Sequence, residues 1–501
     1  MAFTDVLERH ANDRPAQSAI VDGSRIITYR ELDRAVSTVT ANLAASGIKS
    51  HDVVAVVMPD SAKYLIAILG LARIGAVMVG IDGELPPPEK SLAASQAGAI
   101  AVIVETTADA IAGLPAILFS ELRRSTSGAF RPPALGPDHP LTVVQSSGTT
   151  GAPKSFFWSH RAMELQAIRH RNAFGWTAND RYLAVVAMKF FWERELCFVF
   201  LYLGATIVVN RAVRLDELAN AVRTQGITVM ALTPVHLNGL LAVPALEWPA
   251  FPSLRTLVVG SAPLSNERRL RVREQLTPNF YEQLGANEAG LLVLGTPSDQ
   301  DARPDAIGRI APGVEAQVVD SDGRALPDGV VGLAGFRGEC FPTEYLGNAE
   351  ATARSFREGW FYPGDLAAID EEGYFHFKGR ADDVINFQGV KFYPIEVERA
   401  LLAHPAVAEA AVIGAPDDSN GEIPVAFIVV AHPVTADELQ HFCAQRIAAY
   451  KAPERFVFIG QLPRNRTGKI LKRRLKELYL DLLARNAGAT ARAAGGSAAP
   501  G

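Results

Sequence analysis

Short runs of β-branched and apolar residues recur through the first half of the chain, spaced so that one helix fits between neighbours. The runs at 53–58, 76–81, 99–104, 182–187, 205–209, 228–232 and 257–260 contain no charged residue. A strand wetted on one face alternates apolar and polar positions. These runs do not, so both of their faces must be covered. Helical patterns at 62–73 and 215–223 fall between them, and one at 266–276 follows the last. Buried strands joined by helices define an α/β fold with largely parallel sheets. With 48% apolar and 21% charged residues, the chain can fill such a core, and wholesale disorder is excluded.

After about residue 335 the texture changes. Glycines, aromatics and charges crowd 359–389, as in hairpins and turns. A compact α+β pattern follows: helix 395–403, strands 407–414 and 424–430, helix 436–448, strand 456–459. The expected division is a large N-terminal domain over 1–379, a hinge at 380–384, a small domain over 385–483, and a disordered Ala/Gly-rich tail over 484–501.

Several classes of function are excluded. A net charge of −5 gives no global basic field for nucleic acid. Cys197, Cys340 and Cys443 form no CxxC pair, which fits a reducing, cytoplasmic setting. The N-terminus carries Asp5, Glu8, Arg9, Asp13 and Arg14 and has no signal-peptide apolar region. The most apolar stretch, 64–81, is interrupted by Arg73, and reads as a buried helix entering a buried strand rather than as a membrane span.

The chemistry starts at Ser146-Ser147-Gly148-Thr149-Thr150-Gly151-Ala152-Pro153-Lys154, after the apolar run 141–144. Small residues let backbone N–H groups approach an anion, hydroxyls add donors, and Lys154 adds a point charge. That combination suits a polyphosphate. It is not the common nucleotide loop, because Pro153 stands where GxxxxGK[ST] needs glycine. Alone, such a loop is also compatible with a flexible surface turn.

The loop does not stand alone. Gly260-Ser261-Ala262-Pro263, Leu284-Gly285-Ala286-Asn287-Glu288, Tyr362-Pro363-Gly364-Asp365, Gly379-Arg380-Ala381-Asp382 and Arg466-Thr467-Gly468-Lys469 follow it in order. Together they resemble the adenylate-forming superfamily of acyl- and aryl-CoA synthetases, peptide-synthetase adenylation domains and firefly luciferases. The resemblance covers about residues 3–480. It implies a large N-terminal domain with parallel sheets and a distorted β-barrel, plus a small mobile C-terminal domain. It also implies a two-step reaction: a carboxylate attacks the α-phosphate of ATP, and a thiol then takes the acyl group and releases AMP.

The same resemblance assigns residues. Ser146, Ser147, Gly148, Thr149, Thr150, Gly151 and Lys154 would hold phosphates, and Gly260, Ser261 and Ala262 would border adenine. Glu288 would hold Mg²⁺, a hard cation that prefers oxygen. Leu284, Gly285, Ala286 and Asn287 would line the nucleotide. Leu284 departs from the usual aromatic and Asn287 from the usual threonine, departures that would shift nucleotide affinity. Asp365 would accept the ribose hydroxyls and Arg380 would lie near ribose and phosphate, with structural salt bridging as the alternative for Arg380 and Asp382. Asp382 falls on the hinge position. Lys469 would bridge carboxylate and phosphates in the first half-reaction only. Gly389 and Lys391 match the loop lining the thiol channel.

For the acid, Lys189-Phe190-Phe191-Trp192 resembles the aromatic-acid ligases. Phe190, Phe191 and Trp192 would wall the pocket or pack as core. Glu193, Arg194 and Glu195 sit either on a solvated first helical turn or with one charge turned to the substrate. His236 sits at a helix start, in the core or at the acyl group. The expected partners are ATP, Mg²⁺, a small aromatic or compact carboxylic acid, and coenzyme A. The competing acceptor is the phosphopantetheine of a separate carrier protein. The oligomer would be a monomer or homodimer. A luciferase-type oxidoreductase and a nucleotide binder without activity are the rivals from other classes; intact Lys469, Asp365 and Glu288 argue against the second.

Overall fold

The computed structural model describes residues 3–124, 130–146, 154–210, 215–243, 250–261, 264–339, 341–417, 419–464 and 469–495, with side chains to Leu483 except at Ser146 and Leu215. The chain forms two compact units. One comprises Met1–Pro263, Leu270–Ala316 and Gly335–Pro363; the other comprises Leu264–Arg269, Gln317–Ala334 and Gly364–Gly501.

The first unit holds two sheets. In one, the order is Ala116–Leu118, Ala99–Val104, Val53–Val57, Val77–Gly80, Pro140–Ser146, Lys154–Ser159. Its pairs are parallel except the last, a hairpin whose strands end at Ser146 and Lys154. The other sheet runs Ser18–Asp22, Thr206–Val209, Arg181–Ala184, Val229–Leu232, Thr256–Val259, Phe280–Ala286, all parallel. Gly290–Gly295 then turns back antiparallel. The uncharged runs are these strands, and burial on both faces explains their composition.

Helix Ala62–Ile74 covers them. Ser61 caps its N-terminus by accepting from Tyr64 N, and Gly75 ends it at φ +80. Its backbone meets helix Tyr29–Ala45 closely at Gly70, where an added Cβ would lie 2.5 Å from Val39 Cγ1.

One expected strand is shorter than its apolar run. The run 182–187 pairs only to Ala184. Beyond it, Asp60 Oδ1 accepts from Met188 N, and the Arg194 guanidinium takes the Met188 and Lys189 carbonyls at 2.9 and 2.7 Å. These bonds turn the chain out of the sheet.

The second unit contains the hairpin Asp365–Ile369/Tyr374–Arg380. It also contains a sheet ordered Val390–Phe392, Ile385–Phe387, Gly421–Val430, Val407–Asp417, with Arg455–Phe458 parallel to Gly421–Val430. Alternate residues face opposite sides, and both sides are covered. Val412, Ala426 and Ile428 pack with Val397, Leu401 and Leu439. Ala411, Ile413, Val425 and Phe427 pack with Leu462, Leu475 and Tyr479. Helix Lys472–Gly495 extends past Leu483, where the composition predicts disorder; alanine, the best helix former, fills much of that extension. Among the described residues, Cys197 and Cys443 are buried free thiols, Cys340 lying outside them. No helix among the described residues is long and apolar enough to cross a membrane.

Gly70→Ala should destabilise the first unit. Overpacking against Val39 costs about 1–3 kcal/mol, against a helix-propensity gain of about 1 kcal/mol. Adding Val39→Ala should recover most of the overpacking loss. Urea unfolding of the two single variants and the double variant measures the coupling, and strictly additive effects would exclude the close contact.

Candidate active site

The antiparallel strands Phe280–Ala286 and Gly290–Gly295 close on the pair Ala286↔Gly290, which leaves Asn287, Glu288 and Ala289 as the hairpin tip. A bulge at Leu284/Gly285 tightens it. Gly285 is required there, because a Cβ would lie 2.6 Å from Gly290 O. Gly290 itself has φ +65.

Most hairpin tips face water; this one is buried, with Glu288 8% and Ala289 0% exposed. Its carbonyls therefore need protein donors. Trp158 Nε1 donates to Asn287 O at 2.9 Å. Gln166 Nε2 and Arg169 Nη1 both donate to Ala289 O, at 2.8 and 3.1 Å. The side chain is oriented too: Tyr345 Oη donates to Glu288 Oε1 at 2.8 Å. Lys154 Nζ lies 4.8 Å from the Tyr345 ring centroid. A carboxylate supplying hard oxygens, already oriented by a hydroxyl, has the donor chemistry that Mg²⁺ takes alongside phosphates. The residues present thus fit that ion.

Of the glycine-rich loop, Ser146 and Lys154 are register partners at the end of their hairpin. Ser147, Gly148, Thr149, Thr150 and Gly151 lie outside the described residues, as does Ala262. Gly260 follows strand Thr256–Val259. A Cβ there would lie 3.2 Å from Gln283 Cγ and 3.4 Å from the Trp192 ring, so bare backbone passes the indole. Ser261 has φ +79. Leu284 is half-buried.

The charged triplet does not lie on a solvated turn. Glu193, Arg194 and Glu195 are 0%, 3% and 3% exposed within helix Phe191–Leu203. The reason is that each finds a partner inside. Tyr182 Oη donates to Glu193 Oε1 at 2.8 Å, Arg194 holds the two loop carbonyls, and Glu195 interacts electrostatically with Arg169. Burial pushes the Glu193 carboxyl well above the usual carboxylate range. Burial also pushes Glu195 up to about 8, with Arg169 opposing. Phe191 belongs to the core against Trp158, at 5.3 Å between ring centroids. Phe190 and Trp192 are half-buried. His236 Nδ1 lies 2.9 Å from Thr233 Oγ1.

In the second unit, Asp365 and Arg380 are register partners joined by a 2.8 Å ion pair. Gly364, at φ +89, leaves room for the guanidinium, since a Cβ would lie 2.9 Å from Arg380 Nη2. Asp382 is exposed in the 3₁₀ turn Ala381–Asp383. Gln388 and Gly389, both at positive φ, form the tight turn before exposed Lys391. Lys469 is exposed beside the Arg464–Ile470 bridge; residues 465–468 lie outside the described residues.

Sequence reasoning missed Trp158, Gln166, Arg169 and Tyr345. Their partners lie 57 to 129 positions away, and no local motif marks such contacts.

Comparison with known proteins shows the family. The AMP-binding enzyme model matches residues 7–346, and the AMP-binding enzyme C-terminal domain matches 396–469. The chain belongs to the AMP-binding enzyme family. It is 30% identical to a fatty acid–acyl-carrier-protein ligase from Streptomyces coeruleorubidus, over 94% of this chain and 95% of that one. It is 31% identical to a feruloyl-CoA synthase from an Amycolatopsis species, over 94% and 98%. The o-succinylbenzoate CoA synthetase of Bacillus subtilis, solved with its acyl-adenylate, superposes with TM-score 0.87 at 26% identity, over 94% and 97%. The same enzyme solved with ATP and magnesium gives TM-score 0.87 at 26% identity, over 94% and 99%.

Glu195→Gln tests the buried carboxyl. A Glu195 protonated in the fold and ionised in the unfolded chain binds more protons when folded. Wild-type stability should therefore fall as pH rises from about 4.5 to about 8. The variant lacks this loss, so its stability relative to wild type should rise across that window, by up to about 1.4 kcal/mol per pH unit. Urea midpoints at several pH values measure it, and a constant gap would mean that Glu195 is already ionised in the fold.

Proposed function

We propose that the protein is an ATP-dependent acid–thiol ligase acting on a compact aromatic carboxylic acid, with coenzyme A as the thiol. An acid–thiol ligase joins the carboxylate to the α-phosphate, expels pyrophosphate, and then moves the acyl group from AMP to sulfur. The observation that carries this reading is the buried hairpin tip that aims Glu288, with Tyr345 and Lys154 beside it.

Glu288 would hold magnesium, which supplies positive charge to the phosphate oxygens. Lys154 would add a second positive charge to the phosphates, and Asp365, already oriented by Arg380, would accept the ribose hydroxyls. Lys469 would neutralise charge as the carboxylate meets the α-phosphate, then leave as residues 385–483 turn about Asp382. Half-buried Phe190, and half-buried Trp192 beside the bare backbone of Gly260, support a flat aromatic acid. The feruloyl and succinylbenzoate relatives support the same substrate class. Gly389 would let a pantetheine arm pass close to the backbone. The fatty acid–acyl-carrier-protein ligase relative favours a second reading, in which the acceptor is the phosphopantetheine of a separate carrier protein.

ATP–pyrophosphate exchange over a panel of aromatic, aliphatic and amino acids should be strongest with an aromatic acid. Adding CoA to that acid should then yield a thioester. Exchange with no acid would refute the function; exchange followed by transfer only to a carrier protein would select the second reading. Lys469→Ala should lower exchange by about 10²–10³-fold, while thiolation of preformed adenylate stays near wild type. Equal loss in both steps would remove Lys469 from its single-step role.

A further inference from the structure

The bonds around the hairpin tip are unusual in their cost. One carbonyl, Ala289 O, receives both Gln166 and Arg169, and both donors are deeply buried, at 2% and 5% exposed. A buried guanidinium is expensive to desolvate, so a neutral donor such as Gln166 would be the cheaper way to satisfy a carbonyl. Arg169 is nonetheless fixed from several sides. Its Nε donates to Pro312 O at 3.2 Å, and its Cζ lies 5.5 Å from the Phe341 ring centroid. Glu195, on the neighbouring helix, interacts with it electrostatically. Gln166 is confined as well: Gly290 has no side chain, and an added Cβ would strike the Gln166 amide.

The carbonyl so held belongs to the residue immediately after Glu288. Asn287 O, held by Trp158, and Ala289 N, bonded to Ala286 O at 3.0 Å, set the two peptide planes that flank Glu288, and fixing Ala289 O pins the chain one peptide beyond them. Tyr345 then needs only to orient a carboxylate whose backbone cannot shift.

We propose that Arg169, acting with Gln166 through Ala289 O, is a positioning residue that aims Glu288 at the magnesium-bound nucleotide. This rests on the reading of Glu288 as the magnesium-facing carboxylate. It goes beyond that reading by naming the residues that never touch the nucleotide yet set its affinity.

The test is calorimetric binding of ATP without any acid, so that no turnover occurs, in magnesium and in EDTA. Wild type should bind more tightly with magnesium, and Glu288→Gln should lose that gain. Arg169→Lys keeps the charge but not the fork of donors; Gln166→Met keeps the volume but not the donor. Each should lose about tenfold of the magnesium-dependent gain while keeping its EDTA affinity within about twofold. If Arg169→Lys does not fold, Gln166→Met decides. Should Glu288→Gln lose the gain while the folded positioning variants retain it, the proposal is overturned and the Glu288 reading stands. Retention of the gain by Glu288→Gln would overturn both. Equal weakening with and without magnesium would mark Arg169 and Gln166 as merely structural and also overturn it.

Discussion

A polar turn can be buried only if protein donors replace the water that its carbonyls would otherwise bind. The site depends on how this chain meets that constraint at Asn287–Ala289. Trp158, at the end of the hairpin below the glycine-rich loop, takes one carbonyl. Gln166 and Arg169, one helical turn apart on His160–Phe174, take another. Strand, helix and tip are thereby locked to one another, and Lys154 lies at the other end of that same strand. The arrangement gives a carboxylate and an ammonium a fixed relation before any ligand arrives, as preorganised electrostatic stabilisation requires.

The neighbouring helix Phe191–Leu203 shows the same principle with charges. Three consecutive ionisable residues are buried at its start, each serving a different element. Glu193 joins the sheet through Tyr182, Arg194 closes the loop that carries Phe190, and Glu195 faces Arg169. Gly80 is the matching concession: a Cβ there would lie 2.5 Å from Arg194 Nη1. Desolvating these groups costs stability, and what they give in return is geometry. They fix the start of the helix that carries Trp192 beside Gly260, next to the helix whose Arg169 holds Ala289 O.

The parts of the fold that were legible in the sequence are those where one local pattern has one physical meaning. The uncharged run 99–104 coincides with the strand Ala99–Val104, because no other structure buries six such residues on both faces so economically. Glu288, Asp365, Arg380 and Lys469 were singled out by spaced motifs. The burial of Glu193–Glu195 was not legible, since charge at a helix start is ordinarily solvated and the partners Tyr182 and Arg169 lie on other elements. Trp158, Gln166 and Tyr345 were missed for a related reason: a donor on a strand or helix carries no mark of which distant carbonyl or carboxylate it will meet. The run 182–187 misled at its end, because Asp60 and Arg194 compete for the backbone that a strand would have used.

The same accounting explains how the tip can differ from the family pattern and still present its carboxylate. At Asn287 the structural bond is made by the backbone carbonyl, not by the side chain. Replacing threonine with asparagine therefore leaves the path of the tip unchanged, and only what the side chain offers to a ligand differs. At Leu284 the backbone again does the structural work: the bulge with Gly285 sets the turn, and the side chain is half-buried beside it. A leucine can cover a flat base by contact but offers no aromatic face for stacking. The departures thus fall where the fold is indifferent to side-chain identity, while Gly285, Glu288 and Gly290, where it is not, stand as the geometry demands.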